Sequence, residues 1–155
     1  CAEYSSDYKY VLRDLYDLVI ALDLQKNVII NTQYFEEKSI QDNLSKADLI
    51  VFPYQESFES SSASVRQGIA SGKPVLVTPA NIFKDVSRLV HVADGFTSQD
   101  LHFSIKQQLI NSERFCEINI NLQNKNVKPW LKSCNFSRLG IRLTNMIKAL
   151  EIDNS

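Results

Sequence analysis

The hydrophobic and polar positions of the chain predict short helices and strands in alternation. From residue 8 the apolar side chains recur at the three- and four-residue intervals of one helix face, at Tyr8, Val11, Leu12, Leu15, Leu18, Val19 and Leu22. The next apolar run is short and β-branched with polar ends, which predicts a strand at residues 28–30. A second helix is predicted over residues 39–46, with Ser39 as its N-cap.

The middle of the chain repeats this pattern with longer apolar runs. Residues 49–52 read Leu-Ile-Val-Phe, a continuous apolar strand of the kind found in parallel sheets that helices cover on both faces. A polar loop and a helix that ends near Ser71 follow. Gly72 is then placed for a left-handed C-cap, and Pro74 prevents the helix from continuing. Residues 75–78 form the next predicted strand.

The last third completes the alternation and sets the expected fold class. A strand is predicted at residues 89–92 and a helix at 98–111, whereas the polar, asparagine-rich stretch 112–126 predicts no element. A final amphipathic helix carries one apolar stripe, formed by Phe136, Leu139, Leu143, Met146, Ile147 and Leu150. Short units of strand and helix predict an α/β fold with a Rossmann-like, doubly wound parallel sheet. We expect a single domain over residues 1–155, with its core at about 8–111 and its C-terminal helix at about 136–150.

Composition narrows the possible partners. The chain has 155 residues, of which 44% are hydrophobic and 23% charged, as in ordinary globular domains. A net charge of -1 argues against general binding to nucleic acid. With neither a signal peptide nor a membrane-length apolar run, a cytoplasmic location is expected. The three cysteines are far apart and form no CxxC pair, and His91 and His102 are isolated, so reduced thiols and no metal site are expected.

The loop after Phe52 is the segment most suited to ligand binding. Ligands of open α/β sheets bind at the carboxyl ends of the strands, against helix N-termini. Small residues at Ser60, Ser61, Ser62 and Ala63 leave backbone amides accessible at a helix start, which favours an anion such as a diphosphate. The same serines are also typical of simple helix caps, so this pattern alone leaves both interpretations open.

Several segments in order resemble one enzyme family. Residues 47–53 read ADLIVFP, Glu59 follows, and residues 68–75 read GIASGKPV. Residues 27–34 read NVIINTQY, and residues 94–96 read DGF before a helix. Together these resemble the C-terminal, nucleotide-sugar-binding domain of retaining GT-B glycosyltransferases (glycosyltransferase group 1). The resemblance covers about residues 12–111.

The resemblance implies roles for particular residues. Glu59 takes the place of a glutamate beside the donor sugar, where a carboxylate accepts hydroxyl hydrogen bonds and stabilises positive charge at the anomeric carbon. Glu56 competes for this role, because the loop is about two residues longer than the family pattern. The alternative for Glu59 is a solvated residue near a helix start.

The donor nucleotide would be held by the residues around this glutamate. The amides from Ser60 to Ser64, with Ser61, Ser62 and Ala63 between them, would bind the diphosphate. Gln67 stands where the family has a second glutamate that holds the ribose hydroxyls, and it keeps the length and one acceptor but not the charge. Tyr34 would line the base pocket, or alternatively close a sheet edge. Arg66 is interpreted as an ion-pair or surface residue.

For the whole protein, the resemblance implies hexosyl transfer with retention from a nucleotide sugar to a glycan or lipid-linked acceptor, as in polysaccharide biosynthesis. No cofactor or essential metal is expected, and the full-length enzyme is expected to associate peripherally with membranes. The N-terminal acceptor-binding domain has no counterpart here, so the chain alone is expected to be inactive. Two alternatives stay open: a non-catalytic nucleotide- or sugar-binding module, in which Gln67 marks lost catalysis, and a flavodoxin-like receiver domain. The receiver alternative is disfavoured because no acidic pocket is evident at the strand ends.

Overall fold

A computed structural model of the protein describes residues 6–110 and 123–152. Contacts group the chain into two compact units, Cys1–Glu36 and Glu37–Ser155. The first unit contains the helix α1, Ser6–Ala21, as the apolar periodicity predicts. Turns follow this helix, and Asp23 adopts a positive φ of 53°, a conformation that aspartate tolerates better than most residues.

The predicted strand at residues 28–30 is wrong. These residues are irregular, and the side chain of Ile29 is 92% exposed. The amide of Val28 donates a hydrogen bond to the carbonyl of Leu24 at 2.9 Å. Local turns therefore use a backbone group that a sheet ladder would need, and a β-branched run forms a strand only where another strand pairs with it.

The second unit begins with the helix α2, Glu37–Ser45. Because this helix starts two residues before Ser39, that serine lies in the first turn, and its predicted role as N-cap is wrong. Both Glu37 and Lys38 are good helix formers, which favours the earlier start. On the inward side of α2, Leu44 packs against the core.

The second unit combines helices with a small three-stranded parallel sheet in the order β1-β2-β3, an arrangement compatible with the α/β class. Its strands are β1, Ile50–Phe52, β2, Val75–Val77, and β3, His91–Val92. In register, Ile50 pairs with Val75, and Leu76 pairs with His91. The two central strand predictions are therefore confirmed, including their parallel pairing, which the continuous apolar runs favoured.

The helix α3, Ala63–Ala70, connects β1 to β2 and packs on the sheet. It buries Val65 and Ile69 in the core. At Gly68 an added Cβ would lie 3.0 Å from the ring of Phe52, so a larger residue there would require this ring to shift by a few tenths of an ångström. The helix ends where the sequence predicts: Ser71 is the C-cap, and Gly72 directly after it has the left-handed conformation expected there, with a φ of 76°.

A 3₁₀ helix, Asn81–Val86, joins β2 to β3 and supplies much of the core. The buried cluster contains Ile82, Phe83 and Val86 of this helix with Ile50, Val65, Ile69, Val75, Val77, Ala80, Val90 and Val127. The helix α4, Ser98–Ile110, then follows β3. Its start is fixed by reciprocal hydrogen bonds: the amide of Thr97 donates to Asp100 Oδ2 at 3.0 Å, and the amide of Asp100 donates to Thr97 Oγ1 at 3.1 Å.

The C-terminal segment is helical. A π-helix, Gln123–Val127, leads into α5, Lys128–Ser133, and α6, Phe136–Ile152. Most of the asparagine-rich stretch, residues 111–122, lies outside the described residues. The stripe predicted on the last helix is largely exposed on α6. Within residues 6–110 and 123–152, no helix combines the length and apolar character needed to cross a membrane.

Candidate functional site

The loops that follow β1 and β2 meet at the carboxyl edge of the sheet. Thr78 comes directly after β2 and is fully buried. Its Oγ1 donates a hydrogen bond to the carbonyl of Tyr54 at 2.5 Å, and its amide donates to the carbonyl of Phe52 at 3.3 Å. These bonds continue the pairing of β1 and β2 beyond the strands. They hold the first residues of the loop 53–62 against the end of β2.

Three aromatic rings pack against one another at this edge of the sheet. The ring of Tyr54 lies 6.1 Å from that of Phe52 in an edge-on arrangement and 5.2 Å from that of Phe83. Such edge-on and tilted arrangements are favourable for aromatic pairs. The contact between Tyr54 and Phe83 therefore joins the loop that follows β1 to the 3₁₀ helix.

Glu56 contributes a second connection between these two segments. Its Oε2 accepts hydrogen bonds from the amide and the side-chain Nδ2 of Asn81, both at 3.4 Å. Both residues are exposed, so water competes for these long hydrogen bonds. Glu56, the competing candidate for the sugar-binding carboxylate, thus takes part in loop-to-loop contacts.

The start of α3 combines a capped N-terminus with a first turn that contains no acidic residue. Ser62 is the N-cap, with extended backbone (φ −110°, ψ 122°), and its Oγ accepts a hydrogen bond from the amide of Val65 at 3.4 Å. The amides of Ala63 and Ser64 have no partner within the helix, because the first turn lacks preceding carbonyls. The first turn contains no acidic residue to offset the positive end of the helix dipole.

The structure brings most of the predicted site residues to this helix start. Ser60, Ser61, Ala63 and Ser64 are exposed, whereas Ser62 is buried in its capping role. Glu59 is exposed in the loop just before them, and its amide donates to Ser57 Oγ at 3.4 Å. The capping interpretation of the serines therefore holds for Ser62, and the diphosphate interpretation concerns the exposed amides beside it.

Gln67 and Arg66 occupy different sides of α3. Gln67 is half-buried and lies one helical turn after Ala63, on the side away from the buried Val65 and Ile69. The guanidinium of Arg66 donates to the carbonyl of Ser62 at 2.8 Å and forms an ion pair with Asp85. Arg66 is thus an ion-pair residue, as expected, and it fixes the start of α3 to the 3₁₀ helix.

Tyr34 belongs to the first unit, apart from the other candidates along the chain. Its ring is 96% exposed in an irregular segment. No strand forms among the described residues of that unit, so Tyr34 closes no sheet edge there. Its assignment to a base pocket stays a prediction.

A shallow groove beside β2 was not anticipated from the sequence. It has a volume of about 190 Å³ and is lined by Thr78, Pro79, Asn81, Phe83, Lys84 and Val92, among others. The signal that could have found it is the sequence Thr-Pro-Ala-Asn directly after β2, because the carboxyl ends of parallel strands are where ligands bind. The basic residue in its lining is Lys84, which therefore lies near the carboxyl edge of the sheet.

The described part of the chain offers no cluster of three or more histidine, cysteine, aspartate or glutamate residues that could hold a metal ion. His91 lies in β3 and His102 is exposed on α4. Cys134 is an exposed free thiol, while Cys1 and Cys116 lie outside the described residues.

Comparisons with known proteins add no family to this description. No protein-family model matches the chain, and no curated protein or solved structure matches it either. A proposal about function therefore depends on the residues and geometry of the carboxyl edge.

Proposed function

We propose that this chain is the donor-binding portion of a retaining GT-B glycosyltransferase and binds a nucleotide sugar at the start of α3. In this proposal the parallel sheet is part of a doubly wound, Rossmann-like domain. The observation that carries the proposal is the start of α3 itself. It combines the extended cap Ser62, exposed amides at Ala63 and Ser64, and a first turn without acidic residues, at the carboxyl edge of a parallel sheet.

A diphosphate is the ligand group that suits this helix end. Its oxygens are strong acceptors, and hydrogen bonds from backbone amides to a charged acceptor are roughly twice as strong as neutral ones. The helix dipole adds a favourable interaction with the negative charge. Lys84, in the groove beside β2, lies on a segment that Glu56 and Arg66 tie to the loop before α3 and to α3 itself.

Glu59 is assigned to the donor sugar. It is exposed in the loop that leads into α3, three residues before the N-cap Ser62. A carboxylate there accepts hydrogen bonds from sugar hydroxyls and stabilises positive charge that develops at the anomeric carbon. Because the carboxylate of Glu56 already accepts hydrogen bonds from Asn81, Glu59 is the better placed of the two for a sugar.

Gln67 is assigned to the ribose. Its amide offers both an acceptor and a donor on the outer side of α3, one turn after the exposed amides. The transfer step would need the acceptor-binding half of a full-length enzyme, in the cytoplasm, with a glycan or lipid-linked acceptor. No organic cofactor or resident metal is part of this proposal.

Equilibrium binding of UDP, UMP, ADP and AMP, measured by calorimetry, tests the anion site. A diphosphate is expected to bind at least about tenfold more tightly than the monophosphate of the same nucleoside, since it adds charge-assisted hydrogen bonds. Ala63→Asp places a carboxylate at the helix start, which should abolish this preference. Ala70→Asp adds the same charge at an exposed position at the other end of α3 and should preserve it. Equal binding by both variants would contradict the proposal.

A non-catalytic nucleotide- or sugar-binding module is the second candidate. The observation that favours it is Gln67, which lacks the charge that the resembled enzymes use for the ribose. A full-length protein that binds a nucleotide sugar but neither transfers nor hydrolyses it would establish this second candidate.

A further inference from the structure

The helix α6 exposes a stripe of large apolar side chains to solvent. Phe136 is 91% exposed and Leu143 is 60% exposed. The stripe consists of Phe136, Leu139, Leu143, Met146, Ile147 and Leu150, which recur at the three- and four-residue spacing of one helix face. Gly140 lies beside it, and a Cβ added there would meet nothing within 4 Å. Exposed apolar surface of this extent on one element marks a contact with another molecule or a membrane.

The charges of α6 identify the kind of surface that fits. Its sequence contains three basic residues, Arg138, Arg142 and Lys148, and one acidic residue, Glu151. The helix is therefore cationic although the whole chain has a net charge of -1. Arg138 and Arg142 are one turn apart, and Arg142 is four residues from Met146 of the stripe, so a cationic row borders the apolar one. A cationic amphipathic helix is complementary to an anionic lipid surface.

A second copy of the chain fits this helix less well. In an antiparallel pair of α6 helices the two arginine-bearing flanks would face each other, where like charges repel. A 17-residue helix is about 25 Å long. The area of one face of such a helix is small compared with the roughly 800 Å² that each partner buries in a standard protein interface. The apolar stripe and the basic row are matched instead by acyl chains and anionic headgroups.

We propose that α6 lies in the plane of an anionic membrane surface, with the apolar stripe at the acyl boundary and Arg138 and Arg142 among the headgroups. Long basic side chains can extend from such a helix toward phosphate groups while their stems cover apolar surface. This surface shares no residue with the carboxyl edge of the sheet, so it does not depend on the proposed nucleotide site.

Vesicle sedimentation with the 155-residue protein tests the proposal. The chain is expected to bind vesicles of phosphatidylcholine and phosphatidylglycerol at a ratio of about three to one, and to bind pure phosphatidylcholine at least about tenfold more weakly. Leu143→Asn should lower the partition coefficient by about tenfold, since it removes an aliphatic side chain that the membrane would bury. Ile141→Asn is the matched control: it changes a side chain that is 61% exposed, close to the 60% of Leu143, but about 160° away around the helix.

The double change Arg138→Gln and Arg142→Gln should remove most of the preference for anionic vesicles, again by about tenfold. Absence of vesicle binding by the wild type, or equal losses for Leu143→Asn and Ile141→Asn, would overturn the proposal. Self-association that Leu143→Asn abolishes, without vesicle binding, would instead assign the stripe to a second copy of the chain.

Fluorescence provides a readout that does not depend on a disruptive variant. Met146→Trp places an indole on the stripe, and Asn145→Trp places one on the polar side. After subtraction of the signal of the native Trp130, measured in the unsubstituted chain, brominated lipids should quench the first indole and not the second, and equal quenching would contradict the proposed orientation. A parallel titration with UDP, which reports on the start of α3, separates a failure of this proposal from a failure of the nucleotide site.

Discussion

Thr78 donates its hydroxyl hydrogen bond to the carbonyl of Tyr54 at 2.5 Å, and this bond joins the loops that follow β1 and β2. Because Thr78 is fully buried, the carbonyl of Tyr54 would lose its protein partner if the hydroxyl were removed. The bond therefore stabilises the edge that carries the candidate site.

Thr78→Val should destabilise the protein by about 0.5–1.5 kcal/mol, the net contribution of a typical intramolecular hydrogen bond. Thr78→Ser keeps the hydroxyl and loses only a buried methyl group, at a cost of about 1 kcal/mol. Urea unfolding measures both values. A valine variant as stable as the wild type would show that the hydrogen bond contributes nothing to the edge.

Alanine substitutions at two helical glycines should have opposite effects. At Gly68 a Cβ would press on the ring of Phe52, which Tyr54 and Phe83 hold in place, and the expected cost is about 1–2 kcal/mol. At Gly140 the space is open, so alanine should stabilise α6 by about 0.5–1 kcal/mol. Urea unfolding tests Gly68→Ala, and hydrogen exchange of the α6 amides tests Gly140→Ala. Destabilisation of α6 by Gly140→Ala would contradict the open environment.

Acid should weaken the start of α4 through Asp100. Hydrogen bonds from the side chain and then the backbone of Thr97 lower the pKa of Asp100 below its ordinary value of 3.8. A carboxylate whose pKa is lower in the folded state stabilises the fold above pH 3.8, and this contribution disappears as the pH falls through the folded-state pKa. Asp100→Asn should therefore flatten the loss of stability in acid.

Thermal unfolding from about pH 5 down to pH 2 measures this effect. Asp94→Asn is the charge-matched control, since Asp94 is also an aspartate close to the start of α4 but is not the residue at the cap. Identical pH profiles for the Asp100 and Asp94 variants would show that the cap is not responsible.

Glu59 and Gln67 should affect different kinetic parameters in a full-length enzyme. In the proposed site Glu59→Gln removes a charge beside the donor sugar, and it should lower kcat by on the order of a hundredfold, or about 3 kcal/mol. Gln67→Glu should act mainly on KM, because the ribose is remote from the bond that breaks, and should tighten donor binding by roughly 1 kcal/mol. Steady-state kinetics with the nucleotide sugar separates the two. Small, equal effects of both changes would remove Glu59 from the sugar site.

The fold was predictable where apolar runs pair with one another. The runs at β1 and β2 are continuous and apolar, and each finds a parallel partner in the other. The run at residues 28–30 has similar composition, but its first amide bonds Leu24 locally and no strand pairs with it in the described unit. A single sequence does not reveal this difference, because strand formation depends on residues distant along the chain. The start of α2 was misplaced for a local reason, since Glu37 and Lys38 extend the helix past Ser39.

Only those features of the candidate site that depend on neighbouring residues in the sequence could be predicted. The cap at Ser62 and the exposed amides beside it follow from small residues at a helix start. The bonds from Thr78 to Tyr54 and from Asn81 to Glu56 join residues 24 and 25 positions apart. Only the parallel pairing of β1 with β2 brings these residues together. For the same reason, the groove beside β2 and its Lys84 had no counterpart in the sequence interpretation.

The most direct measurement of the nucleotide site is a titration of the ¹⁵N-labelled chain with UDP, followed by amide chemical shifts. The largest shifts are expected at the amides of residues 61–64, at the start of α3. Ala63→Asp should abolish these shifts, whereas Ala70→Asp should leave them intact. Shifts elsewhere in the chain with the amides of residues 61–64 unchanged would contradict the proposal that this helix start binds a diphosphate.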